Sequence, residues 1–309
     1  MAADPRAALA AAGSGPDRNV GVLCAALGAL GFAFKSVLIK GAYRYGVDAE
    51  TLLCLRMAYA LPWLLLMAFV LQRREPLRLS WRNWVEFAVL GVFGYYLSSY
   101  LDFLGLRYIS AALERIVIFI YPTLVVVLSA LFLGKPLKFR MVLMLAASYA
   151  GVALSVAGDL HSGTEGTATG VVLVLGSALS FAIYLMLSAQ SVARFGATRV
   201  TAYATSIACG LCVGQFLCLR PLAALRQPWE VHAQAAAMGV FSTVVPIWLY
   251  AEAMRRLGAA TTAMIGSLGP IFTLMLAYVF LHEPLSLAQI GGAAIVMFTV
   301  SRLSRMAAL

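Results

Sequence analysis

Charged side chains are scarce in this sequence, since only 12% of its 309 residues are Asp, Glu, Lys or Arg. Soluble domains carry ~25% charged and ~45–50% apolar residues, whereas 62% of this chain is hydrophobic. A soluble protein of this length has too little polar surface to cover so much apolar area. The scarcity of charge therefore excludes a soluble globular protein and predicts that lipid forms part of its solvent.

Histidine and cysteine are also scarce, with three and five residues. His161, His232 and His282 all map to loops or helix ends, so neither an intramembrane metal site nor a histidine-based catalytic pair is predicted. The Cys209-Gly-Leu-Cys212 pair has redox spacing, but it lies in a hydrophobic run without a βαβ pattern. We therefore expect unpaired packing thiols, no metal, no cofactor and no enzymatic activity.

The sequence lacks a polar stretch long enough for a soluble domain, which excludes a nucleotide-hydrolysing module. A helix that crosses the bilayer needs ~20 mostly apolar residues. Ten segments meet this requirement and predict an all-α integral membrane protein. They are residues 20–40, 50–71, 85–105, 110–133, 139–158, 168–190, 199–219, 233–253, 259–281 and 286–304. Residues 1–19 are predicted to be a disordered cytoplasmic tail.

The basic residues, which give a net charge of +10, lie in short loops instead of one patch, so a nucleic-acid partner is not expected. Basic residues accumulate on the cytoplasmic side of membrane proteins. With both termini cytoplasmic, fifteen Lys and Arg residues lie on that side and only four in the outer loops. An N-in, C-in orientation is predicted, with Trp81 and Trp84 in the inner aromatic belt just before the third helix.

The two halves of the chain repeat each other. Arg107–Ala112 matches Arg255–Ala260 at an offset of 148 residues, and Pro122 matches Pro270 at the same offset. A near-constant offset over more than a hundred residues indicates an internal repeat, here residues 20–158 and 168–304. Because each repeat holds five helices, an odd number, the second is predicted to insert upside down. Inverted repeats are typical of secondary transporters.

The clearest motifs lie in the fourth and ninth helices. The first copy has Ser110-Ala111-Ala112, Tyr121-Pro122 and the ending Phe132–Leu137, and the second has Gly258-Ala259-Ala260, Gly269-Pro270 and Phe280–Leu285. Over residues 20–304 the chain resembles the EamA-type transporters of the drug/metabolite transporter superfamily. The resemblance implies transport of amino acids, drugs, nucleotide sugars or other metabolites across a bacterial cytoplasmic membrane, and the family includes exporters of aromatic amino acids. One departure is Lys135, where the family usually carries an acid such as Glu283.

Charged residues inside the predicted helices require an explanation, because each costs about 2.5–3.5 kcal/mol near a helix centre. Lys35 is interpreted either as a cavity residue or as a side chain that snorkels to the outer surface. Arg56 is interpreted as the partner of Asp102 or Glu114 in a structural ion pair. Arg115 is predicted to be an interfacial anchor, and Glu252 to pair with Arg255 and Arg256 at the cytoplasmic end.

A substrate cavity is predicted between the first, third, fourth, sixth, eighth and ninth helices. Lys35 would face the carboxylate of a zwitterion, and Asp102 or Glu114 its ammonium group. Aromatic rings would stack on the apolar part, and Pro122 and Pro270 are the predicted hinges. The predicted substrate-binding residues are Lys35, Tyr95, Tyr96, Ser99, Tyr100, Asp102, Glu114, Tyr121, Tyr184, Trp248 and Ser267.

The sequence therefore favours a secondary transporter that exports amino acids, aromatic ones included, or similar small metabolites by alternating access. A multidrug or toxic-cation exporter of the same fold and a channel-like facilitator are the alternatives. The expected partners are a small-molecule substrate and the lipid bilayer. Ser206, Gly210 and Gly214 form a ladder of small residues that suits either helix packing or a homodimer contact, so monomer and dimer both stay open.

Overall fold

The computed structural model describes residues 16–134, 138–161, 166–266 and 268–307, and all regular structure within these ranges is helical. Eight helices in the described ranges are long and apolar enough to cross a membrane, and two shorter apolar helices follow them. The protein is an all-α integral membrane protein, as the composition predicts. Inner and outer refer below to the predicted orientation.

The first half contains five helices whose ends are set by local sequence signals. Asp48 accepts a hydrogen bond from the Thr51 amide at 2.9 Å and caps the second helix. Gly134 ends the fourth helix with a φ of 64°, a left-handed conformation that favours glycine. The helices are α1 Pro16–Tyr43, α2 Ala49–Arg74, α3 Trp81–Gly105, α4 Ala111–Leu133 and α5 Phe139–His161.

The second half contains the matching five helices. Gly196, with a φ of 81°, separates the first two of them. The helices are α6 Thr167–Phe195, α7 Ala197–Leu219, α8 Trp229–Leu257, α9 in two parts (Ala259–Gly266 and Gly269–Leu281) and α10 Leu287–Ala307. Each of the ten predicted segments is confirmed as a helix.

Most helices extend beyond the predicted ends, although α4 and α10 begin one residue later than predicted. α1 begins at Pro16, and α6 continues to Phe195, beyond the predicted end at residue 190. Trp81 and Trp84 lie in the first turn of α3 and not before it. Hydropathy marks only the apolar part of a helix, whereas the backbone continues as helix through the polar interface. Residues 1–15 of the predicted tail, and residues 135–137 between the predicted fourth and fifth helices, lie outside the described residues.

The two halves pack against each other in a two-fold pattern. α1 packs on α8, and the repeat-related helices α6 and α3 also pack together. In the same way α4 packs on α6 while α9 packs on α1, and the pairs α2–α7 and α5–α10 each join equivalent helices. A side chain at Gly292 would collide with the backbone carbonyl oxygen of Gly151, so α5 and α10 depend on glycine for their close approach. This arrangement is the inverted-repeat fold predicted from the sequence.

Two kinds of irregularity recur at equivalent positions of the halves. α3 contains a π-helical segment at Val92–Leu97, and α8 contains one at Val240–Val244, 148 residues later. π-helical turns within α-helices are frequent at functional sites.

The second irregularity is a break in α4 and in α9. α4 is interrupted between Ile118 and Tyr121, and α9 between Gly266 and Gly269. Pro122 and Pro270 lie in the first turn of the half-helices that follow the breaks. The two predicted hinge residues therefore lie where the helices are interrupted, while their role in movement stays a prediction.

Candidate functional site

A buried ion pair joins α1 to α3. The Lys35 ammonium lies 2.6 Å from Asp102 Oδ2, with 17% of the lysine side chain and 1% of the aspartate side chain exposed. The lysine therefore does not snorkel to the outer surface, because its charge is neutralised inside the protein. An intramembrane charge that is paired in this way is the usual sign of a substrate or ion pathway.

A second carboxyl group lies beside this pair. Glu114, on the first half of α4, is completely buried and accepts a 2.6 Å hydrogen bond from the Ser36 hydroxyl of α1. The Arg115 guanidinium donates to the Ser36 hydroxyl at 3.4 Å and to the Phe32 carbonyl oxygen at 3.2 Å. Arg115 thus binds α1 and is more than the interfacial anchor that was predicted. The three helices α1, α3 and α4 share one polar network.

Arg56 does not form the predicted ion pair. Its guanidinium donates to the Thr243 hydroxyl of α8 at 3.1 Å and lies 5.5 Å from the centre of the Phe103 ring. Asp102 is paired with Lys35 instead, and only a longer-range attraction joins Arg56 to Asp102. Arg56 is nevertheless buried, with only 6% of its surface exposed, so a further cation lies close to the network.

Aromatic rings from α3, α4 and α6 form a cluster near the break in α4. The hydroxyl groups of Tyr95 and Tyr184 are 3.2 Å apart. Phe181 stacks on Tyr184 with ring centres 5.5 Å apart, and Tyr121 meets Phe181 edge-on at 5.1 Å. Phe181 was missed in the site prediction, although its match with Phe32 in the repeat was a signal for it.

Tyr96 and Tyr100 point to another part of the protein. The Tyr100 hydroxyl donates to Glu50 Oε1 at 3.2 Å, and Tyr96 lies in the apolar cluster that contains Cys212 of α7. The predicted aromatic wall is thus divided into two groups, one on α6 and one on α2 and α7. Tyr95 and Tyr96 are adjacent on α3 and point to different neighbours, so they do not share one wall.

The remaining predicted site residues are scattered. Ser99 is half-buried on α3, and the Trp248 side chain on α8 is 62% exposed. Ser267 lies outside the described residues. The structure therefore brings together Lys35, Asp102 and Glu114 as one group and Tyr95, Tyr121 and Tyr184 as another.

A cavity of about 450 Å³ lies at the outer end of the protein, and no sequence motif pointed to it. Glu283 in its wall accepts a 3.0 Å hydrogen bond from the Ala111 amide at the start of α4. Lys40 donates to the Ile109 carbonyl oxygen at 3.1 Å, and Arg44 to the Leu281 carbonyl oxygen at 3.0 Å. The lining residues are Lys40, Tyr43, Arg44, Gly46, Val47, Leu106, Arg107, Leu281 and Glu283.

A network of charges also borders the outer surface at the start of α2. Arg220 lies 3.4 Å from Asp48 and 3.2 Å from Glu50, which also binds Tyr100. Partial burial raises the pKa of Asp48, but hydrogen bonds from Thr51 and the attraction of Arg220 outweigh this effect and hold the pKa below its usual value. Tyr100 therefore belongs to an outer structural network.

Within the described ranges, no three His, Cys, Asp or Glu side chains lie close enough together to hold a metal ion. The chemistry available at the site is instead that of paired charges, hydroxyl groups and aromatic rings. Such a site can bind and release a small polar molecule, and it lies where two inverted halves meet. Fold and site together define a secondary transporter.

The comparison with known families agrees with this class. The chain belongs to the EamA-like transporter family, whose model matches residues 19–157 and 168–305. It is similar to the uncharacterised transporter YcbK of Bacillus subtilis, with 29% identity over 286 residues and 91% of each chain covered. It is also similar to the uncharacterised transporter YvbV of the same organism, with 27% identity over 239 residues and 77% of each chain covered.

The fold is also found among solved structures, one of which is a crystal structure that covers nearly the whole chain. It superposes with a TM-score of 0.61 at 16% identity, and the match covers 93% of this chain and 97% of the other. At this identity the likeness concerns the fold alone.

Proposed function

We propose that this transporter exports amino acids, aromatic ones included, or similar small metabolites across a bacterial cytoplasmic membrane. The single observation that carries the proposal is the buried Lys35–Asp102 ion pair, with Glu114 beside it. Transport is proposed to proceed by alternating access between the inverted halves, without ATP hydrolysis.

A zwitterion is the ligand that this ion pair suits best. Its carboxylate can replace Asp102 at the Lys35 ammonium, while its own ammonium replaces Lys35 at Asp102. The number of close charge contacts is then unchanged, so opening the pair does not leave a buried charge without a partner. A cation without a carboxylate would leave Lys35 unpaired, which argues against the toxic-cation alternative.

The apolar part of the ligand has a matching surface. Tyr95, Tyr121, Phe181 and Tyr184 form a continuous aromatic cluster, and aromatic rings prefer edge-on or offset contacts with other rings. Tyr121 is also the first residue of the half-helix that follows the break in α4. The N-terminus of a half-helix carries a partial positive charge that suits the carboxylate of a substrate.

The two-fold packing supports alternating access. If the α1–α8 pair adopted the packing of the repeat-related α6–α3 pair, and the reverse, each half would take on the conformation of the other. The breaks at Pro122 and Pro270 supply equivalent points at which the helices can bend. A simple pore has no need of either feature.

Counterflow in proteoliposomes tests the proposal. Liposomes that contain purified protein are loaded with one unlabelled compound and exposed to the same compound in labelled form. A panel of aromatic and small amino acids, purines and toxic cations identifies the substrate class. We expect internal amino acid to accelerate uptake of labelled amino acid, whereas accumulation of cations alone would support the drug-exporter alternative. Equal uptake with and without internal substrate would support the channel-like facilitator.

A further inference from the structure

Two buried carboxyl groups face each other in the polar network. Asp102 is 1% and Glu114 0% exposed, and their carboxyl groups lie within hydrogen-bonding reach of each other. Lys35 binds one oxygen of Asp102, and Ser36 donates to one oxygen of Glu114. The other two oxygens, Asp102 Oδ1 and Glu114 Oε1, are buried and accept no hydrogen bond from any described residue.

A proton on one of the two carboxyl groups would allow it to donate to the other. An ionised carboxylate only accepts hydrogen bonds, so two of them cannot bind each other, whereas a protonated carboxyl group can donate to a carboxylate. Two negative charges that lie close together in a buried site, away from water, also repel each other strongly. Pairs of carboxyl groups relieve this repulsion by holding one proton between them. The pair titrates as a unit because the charge of each group depends on the other.

The surrounding charges decide which group carries the proton. Lys35 from α1 contacts Asp102 directly and stabilises its ionised form, which leaves Glu114 as the carrier. Arg115 binds the Ser36 hydroxyl and the Phe32 carbonyl instead of a carboxylate. The other ionisable groups near the pair are Tyr43 of α1 and Arg56 of α2.

The remaining helices that pack on α3 or α4 have their described charged residues near their ends. α6 has Arg194 at its inner end, and the described parts of α9 have no Asp, Glu, Lys or Arg. α7 has Arg199 in its first turn, α5 has Arg140 in its first turn, and α10 has Arg302 near its end.

The outer cavity lies close to the pair, on the side from which a proton would enter. Lys40 and Leu106 line the cavity, and each lies four residues beyond a member of the network, Ser36 on α1 and Asp102 on α3. Four helical residues span ~6 Å at 1.5 Å per residue. Asp102 on α3 is therefore about one helical turn from the cavity, and so is Ser36 on α1, which binds Glu114.

We propose that Asp102 and Glu114 form a proton-binding site, at which one proton and the ammonium group of a substrate occupy the carboxyl pair in alternation. A proton taken up from the outer side binds to Glu114. When a substrate ammonium arrives from the inner side, that proton is released inward, so one proton enters for each substrate that leaves. The exchange with an ammonium group rests on the proposed function, whereas proton binding itself does not.

Infrared spectroscopy of the full-length protein in lipid tests proton binding without any substrate. A protonated carboxyl group has a C=O stretching band that shifts in D₂O and disappears when the group ionises. We expect this band in the wild-type protein at neutral pH, its loss in Glu114→Gln, and its retention in Glu252→Gln. Glu252 is the matched control, because it is held as a carboxylate by Arg255 and Arg256 at the inner end of α8. An unchanged band in Glu114→Gln would overturn the proposal.

Asp102→Asn, measured at low temperature because it lowers stability, provides a second readout if Glu114→Gln does not fold. It removes the negative charge that opposes ionisation of Glu114, so the wild-type band should shift in frequency or disappear. A band at the wild-type position in Asp102→Asn contradicts a proton shared by the two groups.

Uptake driven by a pH gradient separates the two proposals. Proteoliposomes should exchange amino acid for protons in the wild type and in Glu252→Gln, but not in Glu114→Gln. If the infrared band behaves as expected and no amino acid is transported, the substrate class is wrong and the proton site stands. If amino acids are transported and the band is absent from the wild type, the proton site is wrong and the transport proposal stands.

Discussion

The centre of the first five-helix half is charged, and the equivalent centre of the second half is neutral. The repeat relates Lys35 to Tyr184, Asp102 to Tyr250 and Glu114 to Thr262. Where the first half has a buried ion pair, Tyr184 bonds to the hydroxyl of another tyrosine, and the Tyr250 ring packs 5.6 Å from that of Phe32. The packing of the helices follows a two-fold pattern, but the buried Lys35–Asp102 ion pair belongs to the first half.

Under the proposed alternating access, this difference separates two tasks of the fold. Equivalent breaks, π-helical segments and helix contacts would allow the two halves to exchange conformations. A single set of charges would then expose one binding site first to one side of the membrane and then to the other. Duplication of the charges in both halves would instead create two sites that face opposite sides at once.

The inverted orientation of the halves is the premise of the comparison, and its test has an all-or-none result. A reporter fused after Gly163 should lie outside the cytoplasm, and a reporter fused after Leu309 inside it, because basic residues concentrate on the inner loops. Activity of a phosphatase and fluorescence of a cytoplasmic reporter measure the two positions. Both fusion sites on the same side would remove the basis for two inverted halves.

Removal of the charge in the first half should have the largest effect on stability and transport. Asp102→Asn leaves the Lys35 ammonium without its carboxylate, and the loss of one partner of a buried pair costs about 3–5 kcal/mol. We expect strongly reduced thermal stability in detergent and no counterflow. The matched variant in the second half, Tyr250→Phe, removes one hydroxyl and should retain both. Equal loss in the two variants would show that the halves share the chemistry.

The backbone symmetry predicts equal effects at the two helix breaks. Pro122→Ala and Pro270→Ala each restore a backbone N–H and favour a straight helix, so both should slow counterflow several-fold while substrate affinity is retained. Pro62→Ala is the control, because Pro62 lies inside the continuous helix α2. An effect at Pro122 alone would show that the halves do not move as equivalents.

The smallest effect is expected at the aromatic cluster, and it should depend on the substrate. Tyr121→Ala removes a ring that meets Phe181 at 5.1 Å. Such ring contacts contribute about 0.5–1.5 kcal/mol, or roughly two- to tenfold in affinity. Competition assays should show weaker binding of aromatic amino acids than of small ones. Tyr100→Ala should show no such selectivity, because Tyr100 binds Glu50 at the outer end.

The helices and their repeat could be predicted because both depend on local composition. Ten apolar segments and a constant offset are visible in the sequence without any knowledge of contacts. The choice of Lys35, Asp102 and Glu114 also needed only the cost of a charge in lipid. Their proximity was predicted because all three belong to the first repeat and map to the outer half of the membrane.

Contacts between the halves could not be predicted in the same way. Arg56 binds Thr243 of α8, and this pairing depends on the packing of helices 187 residues apart in the chain. The π-helical segment Val92–Leu97 has no local sequence signature, yet it contains both Tyr95, which faces α6, and Tyr96, which faces α7. Glu283 was visible as part of a motif, but its bond to the start of α4 required the structure.

The central claim is that the charged pair of the first half binds the substrate, and counterflow by Lys35→Met tests it most directly. Lys138→Met is the matched control, because it removes an exposed lysine just before α5. Lys35→Met also removes one partner of the buried pair, so it is compared at a low temperature at which it is still folded and inserted. If the claim holds, it then exchanges no amino acid, while Lys138→Met exchanges it at the wild-type rate. Normal counterflow by Lys35→Met would contradict the account, because the ion pair would then serve the structure alone.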